Sequence, residues 1–262
     1  MSGVERIAAA FDRAPGRAAL MPYLMGGFPD MRTSRAIGLA CADNGADLVE
    51  LGIPYSDPLA DGHVIHAAGT AALRAGATLD GVLEVGEALS RRLPVVLMCY
   101  VNLVLARTPD GFAAAAARAG VSGLIVPDLP LEEAPEIHDA CETHGIALVP
   151  LVAPTTPDER LRAIGARARG FLYTVSVVGT TGERKRDEDE YRAILDRVRA
   201  HAEVPVAIGF GISTPEQASA AARAGADGVI VGTRLVRAAA EADDPPAAVG
   251  ELVAGLAAGL IR

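Results

Sequence analysis

Short apolar runs alternate along the chain with longer stretches in which Ala, Leu and Arg recur at helical spacing, and Gly, Pro or Asp stands at most joints between them. Eight runs are too brief for ordinary helices: Ala19–Met25, 47–53, 94–100, 123–126, 147–152, 171–176, 205–209 and Gly228–Val231. Their near-continuous apolarity, as in Val-Pro-Val-Ala-Ile-Gly-Phe at 204–210, is that of parallel strands buried on both faces. Several helical stretches end on a glycine (Gly45, Gly120, Gly145, Gly225) a few residues before such a run, and a left-handed glycine stops a helix there. Eight strand–helix units in 262 residues predict an α/β fold of the (β/α)8 TIM-barrel type, since open doubly wound sheets use fewer strands. An additional N-terminal helix is expected at 3–11, a short helix at 233–237 after the eighth strand, and a last helix at 247–260 set off by Pro245-Pro246. No linker divides the units, so 1–262 is expected to be one domain, with the charged run 183–190 in a long loop after the sixth strand.

Composition narrows the function. A net charge of −9 argues against broad attraction to nucleic acid or anionic membrane and leaves room for one local anion site. No apolar run is long enough to span a bilayer, and Glu5 and Asp12 stand where a signal peptide would be apolar, so a cytoplasmic location is expected. Three cysteines, an odd number, fit reduced thiols. Lys185, the one lysine among 24 basic residues, sits in the charged run, whereas a Schiff-base lysine needs a rigid, desolvated strand.

Barrel chemistry is built at the C-terminal ends of the strands, and the polar residues there stand out. Glu50 lies inside an apolar strand, where an inward carboxyl would hold its proton and serve proton transfer; the plainer reading is a core carboxylate paired with Arg or Tyr. Asp57 and Asp61 follow on an unusual loop, each also explicable as turn chemistry, with Asp61 favoured as the second, partly solvated carboxylate. Glycines 179 and 182, 209 and 211, and 232 follow the last three strands, and the last of them opens the short helix, so a phosphate cradle is expected there, against the plainer reading of turn glycines. His63 and His66 are spaced to share a metal on a helix face, against which stands the reading of solvated first-turn histidines.

The segment Glu50-Leu-Gly-Ile-Pro-Tyr-Ser-Asp-Pro-Leu-Ala-Asp-Gly62 resembles the α subunit of tryptophan synthase, and the likeness runs from about 20 to 236. It takes in 23–29, Pro127-Asp-Leu-Pro-Leu-Glu-Glu133, Ala153-Pro-Thr, Tyr173, Gly179-Thr-Thr-Gly182, Gly209-Phe-Gly-Ile-Ser213 and Gly232-Thr233. The resemblance implies a lyase that splits indole-3-glycerol phosphate into indole and glyceraldehyde 3-phosphate by a retro-aldol reaction, with no metal, no cofactor and no Schiff base. It assigns proton transfer to Glu50, stabilisation of the charged indole to Asp61, and assistance to Tyr173. By the same likeness Tyr23, Ile65 and Phe210 line the indole pocket, and Gly182, Gly211, Gly232 and Thr233 hold phosphate. Thr181 is expected to fold over bound ligand as part of a lid. The implied partner is a pyridoxal-phosphate β subunit in an α2β2 complex. A stand-alone lyase releasing free indole and a non-catalytic regulatory subunit are the alternatives. The chain departs from the family at His63, at His66, in Met98-Cys-Tyr-Val-Asn102 and in Thr233, which replaces a common Ser.

Overall fold

The computed structural model describes residues 1–13, 16–175, 188–209 and 211–260. Its elements run in the order α1 (Gly3–Asp12), β1 (Ala19–Met25), α2 (Met31–Asp43), β2 (Val49–Gly52), α3 (His63–Arg74), α4 (Leu79–Ser90), β3 (Val95–Met98), α5 (Val101–Leu105), α6 (Pro109–Arg118) and β4 (Gly123–Ile125). They continue with α7 (Pro135–Thr143), β5 (Ala147–Leu148), β6 (Leu151–Val152), α8 (Asp158–Gly165), β7 (Leu172–Val175), α9 (Glu188–Arg199), β8 (Val206–Gly209), α10 (Pro215–Arg223), β9 (Gly228–Val231), α11 (Thr233–Glu241) and α12 (Pro245–Ala258).

All recorded strand pairs are parallel, in the order β5-β4-β3-β2-β1-β9-β8-β7-β6. β5 and β6 are the two halves of the fifth predicted strand. Pro150 has no N–H to donate and interrupts it, while its carbonyl still accepts from Tyr173 N at 3.0 Å. The sheet therefore curls round through 149–150 into the TIM barrel of eight strand positions.

Side chains alternate across each strand. Val49 and Leu51 face the helices in the larger buried cluster, whereas Leu48 lies in the barrel interior with Met21, Val96, Ile125, Phe171, Tyr173, Ala207 and Ile230. α1, started by a capping box between Ser2 and Glu5, plugs the N-terminal end of the barrel with Ile7 and Ala10, and the Phe11 ring sits 5.9 Å from that of Phe171. With that end closed, the C-terminal ends of the strands are the end of the barrel at which a site can be built. The predicted helix-stopping glycines, Gly45, Gly120, Gly145 and Gly225, all have positive φ, between 69° and 105°.

Three of the differences from the expected boundaries have a clear physical reason or change an element's extent. Pro245 and Pro246 open α12 instead of preceding it, because the first helical positions need no N–H; Asp244 caps the turn from Ala247 N. α11 continues to Glu241. Of the charged run, 183–187 lies outside the described residues and the rest is helix, not loop: Glu188, Asp189 and Glu190 form the first turn of α9, where acidic residues complement the helix dipole, and Glu188 pairs with Arg192 at 2.6 Å and with Arg223 of α10 at 3.0 Å. Among the described residues no helix is long and apolar enough to cross a membrane.

Candidate active site

The alternation that points Leu48 inward points Glu50 inward one level higher, beside Tyr23 of β1, its register partner. Glu50 is 1% exposed, and neither carboxylate oxygen has a hydrogen-bond partner among the described residues. That speaks against the core-pair reading, since among the described residues no Arg or Tyr hydrogen-bonds to it. Burial alone pushes its carboxyl from 4.5 to about 8, so at neutral pH Glu50 holds a proton.

Tyr173 rises from β7 into the same interior, on the level of Leu151 and Ala207. Its ring requires Gly209, since a β-carbon there would lie 2.6 Å from the phenolic oxygen. Burial, and then the neighbouring Glu50 charge, push its hydroxyl far above the usual range, so it stays a neutral donor.

Asp61 sits half-buried on the loop between β2 and α3. Its Oδ1 accepts from the Tyr100 hydroxyl at 2.9 Å, and that hydroxyl accepts from Ala60 N at 2.9 Å. Burial raises the Asp61 carboxyl, while the Tyr100 hydrogen bond and the nearby His66 lower it. Tyr100 is itself held by stacking on Tyr55, with centroids 5.3 Å apart, and the Tyr55 hydroxyl accepts from Asn102 Nδ2 at 2.8 Å. Val101 N donates to Asp128 Oδ1 at 2.9 Å, which fixes the exit of β3. The two carboxylates thus sit in different environments: Glu50 dry and unpartnered, Asp61 hydrogen-bonded at the rim.

Beyond β1 in the sheet, Gly211 after β8 takes φ +60° in an exposed turn, and Gly232 after β9 caps α11. Leu235 and Val236 N both donate to the Gly232 carbonyl, so the amides ahead of them, at Thr233 and Arg234, are the orphan donors of the helix start. Ile65, on the first turn of α3, packs with Tyr23, Met25 and Val236. Thr181, Gly182 and Phe210 lie outside the described residues, as does Lys185.

His63 and His66 are both exposed on the first turn of α3. Among the described residues the group close enough to share an ion is instead His138, Asp139 and Glu142, mostly exposed on α7. Asp57 is exposed, and its Oδ2 accepts from Ser56 Oγ in the turn. A cavity of about 400 Å³ lies between α7 and α8, lined by Leu131, His138, Pro150, Arg160 and Arg167 among others. None of the candidate residues reaches it. Tyr100, Tyr55 and Asn102 escaped the sequence reading of the site; two tyrosines beside two aspartates in sequence-distant loops were the available signal.

The family model described as tryptophan synthase alpha chain matches residues 10–256. A tryptophan synthase alpha chain of Prochlorococcus marinus strain MIT 9313 is 48% identical over 88% of this chain and 86% of its own length. One from Synechococcus sp. strain CC9902 is 49% identical over 87% of this chain and 85% of its own. Among solved structures, a chain of Mycobacterium tuberculosis tryptophan synthase superposes with a TM-score of 0.91 at 40% identity, covering 98% of both chains. Tryptophan synthase subunit alpha from Legionella pneumophila gives 0.90 at 34% identity, over 99% of this chain and 98% of that one.

Proposed function

The chain belongs to the tryptophan synthase alpha chain family, and on that premise we propose how its residues carry out the reaction of a carbon–carbon lyase that cleaves indole-3-glycerol phosphate to indole and glyceraldehyde 3-phosphate. Glu50, protonated in the free protein, gives its proton to C3 of the indole ring. Asp61 accepts the ring N–H and stabilises the positive charge that then spreads to the nitrogen. The Glu50 carboxylate removes the proton from the hydroxyl on the side-chain carbon joined to C3. The C3–carbon bond breaks, its electron pair restores the neutral indole, and the former hydroxyl becomes the aldehyde carbonyl. Glu50 ends with the proton it began with. Tyr173 orients Glu50 by donating a hydrogen bond to it when it is ionised, Tyr23, Ile65 and Phe210 enclose the indole, and Gly182, Gly211, Gly232 and Thr233 hold phosphate. Thr181 closes over the bound substrate.

The observation that carries this reading is the unpartnered, 1% exposed Glu50 one level above the barrel core. Such burial costs several kcal/mol for an ionised carboxyl and is sustained where the proton is used. Indole release by the purified chain from indole-3-glycerol phosphate tests it; a wild-type rate equal to that of buffer leaves the regulatory-subunit reading in its place.

For the partner we take the pyridoxal-phosphate β subunit, in an α2β2 complex. Support comes from two large apolar side chains at the mouth, Leu59, 87% exposed on the Asp61 loop, and Leu105, 53% exposed on the α5 helix. Covering such side chains stabilises a complex by roughly 1.5–3 kcal/mol each. Leu59→Asp and Leu105→Asp are each expected to weaken binding to a cognate β subunit at least about tenfold, with Leu105→Asp keeping the basal rate. Titration of labelled protein with β subunit checks this, and unchanged affinity in both variants favours the stand-alone lyase.

A further inference from the structure

The ring of Tyr23 packs with Met25, Ile65 and Val236, but neither that packing nor the proton transfers account for its hydroxyl. Its Cβ, Cγ and Cδ1 lie against Gly232, where an added β-carbon would stand 3.3–3.5 Å from them. Its hydroxyl reaches the other way, over Gly52: a β-carbon there would be 2.2 Å from the phenolic oxygen. The ring therefore spans from the start of α11 to the residue two beyond Glu50, and it does so at the level of Glu50 itself, the register partner of Tyr23.

The residue is 7% exposed, and among the described residues no hydrogen bond holds its hydroxyl, which does not belong with the Glu50 oxygens among the sealed, unpartnered side-chain atoms. A phenylalanine would fill the same space, so what the tyrosine adds here is one hydrogen-bond donor at the level of Glu50. Gly52 is the complementary half of the arrangement, since any side chain there would drive the phenol away. The facing charges are the carboxyls of Glu50 and Asp61, with the hydroxyls of Tyr100 and Tyr173 also near. Burial and these neighbours keep the phenol protonated, a hydrogen-bond donor.

We propose that the Tyr23 hydroxyl is a direct ligand of the substrate's side-chain oxygen at the carbon that becomes the aldehyde. The inference rests on the lyase reading above. With phosphate at Gly232 and the indole at Asp61, the three-carbon chain crosses the face of Tyr23, and the reacting hydroxyl comes to lie beside Glu50, under the phenol. As Glu50 takes the proton from that hydroxyl, its oxygen gains negative charge before the carbon–carbon bond opens. A donated hydrogen bond from Tyr23 stabilises it there. Tyr23 transfers no proton and is unchanged at the end. It makes the site specific for a hydroxylated chain, as opposed to any indole carrying a phosphate tail.

Tyr23→Phe keeps the ring and removes only the donor. Two measurements are compared with wild type: kcat/KM for indole-3-glycerol phosphate, and Kd for 3-(indol-3-yl)propyl phosphate, which lacks both chain hydroxyls. The expected result is a loss of about 10- to 100-fold in kcat/KM, with the analogue's Kd changed less than about twofold. Wild-type kcat/KM in the variant overturns the proposal. So does an equal loss for substrate and analogue, which would mark Tyr23 as a packing residue. A thermal melt matching wild type shows that the variant is folded, and indole release by the wild-type chain in the same assay keeps failure here separate from failure of the lyase reading.

Discussion

Glu50→Gln is expected to lower indole release at least about a thousandfold while making the folded chain more stable. Glutamine keeps the shape of the side chain but neither donates an acidic proton to C3 nor accepts one from the hydroxyl, and both proton transfers in the cycle belong to this one group. The gain in stability follows from the same burial. Folding lifts the carboxyl from 4.5 to about 8, so between these values the folded state binds its proton more tightly than the unfolded state does. Wild type therefore loses stability as pH rises through this window, and the loss is complete above about 8. Glutamine does not titrate. The advantage of the variant is expected to grow between pH 5 and pH 8, by on the order of 3 kcal/mol, because each pH step of one within the window costs wild type about 1.36 kcal/mol. Urea unfolding of both proteins at the two pH values reads this directly. A gap that stays constant with pH would mean that Glu50 is not held protonated by the fold. A residue that weakens the fold and is required for turnover has a functional reason to be there.

Asp61→Asn is expected to cost about 10²- to 10³-fold in kcat, with a much smaller change in the Kd of 3-(indol-3-yl)propyl phosphate. The amide oxygen of asparagine still accepts from the Tyr100 hydroxyl, which holds Asp61 Oδ1 at 2.9 Å, so the loop keeps its anchor. The negative charge opposite the indole nitrogen is lost, and that charge matters most once C3 has been protonated. Measuring kcat and analogue affinity on the same preparation separates the two effects. A variant that loses affinity and keeps kcat would place Asp61 in ground-state binding alone.

Much of this architecture was legible because its physics is local. β1 and β9 coincide with the predicted runs at Ala19–Met25 and Gly228–Val231, since a strand buried on both faces leaves a short apolar stretch between turn residues. The split of the fifth strand into β5 and β6 was legible only as Pro150, because periodicity does not say whether a proline ends a strand or is bridged by its neighbours. Glu50 was visible as a carboxyl in an apolar strand. That no partner would be found for it among the described residues was not, since pairing depends on side chains brought in from other strands. The grip of Tyr100 on Asp61 spans 39 residues and the approach of Tyr23 to Gly52 depends on the direction of one ring, and neither leaves a pattern in the spacing. For Thr181, Gly182 and Phe210, outside the described residues, the support is the sequence motif alone.

The central claim is that a protonated, buried Glu50 drives the cleavage, and the pH dependence of kcat/KM for indole release from indole-3-glycerol phosphate tests it most directly. With the acid form required and its carboxyl near 8, wild-type kcat/KM is expected to hold level through neutral pH and to fall about tenfold per pH unit well above 8, with Glu50→Gln at baseline throughout. A wild-type profile with no descending limb near that value, or a Glu50→Gln variant that turns over along the wild-type curve, would contradict it.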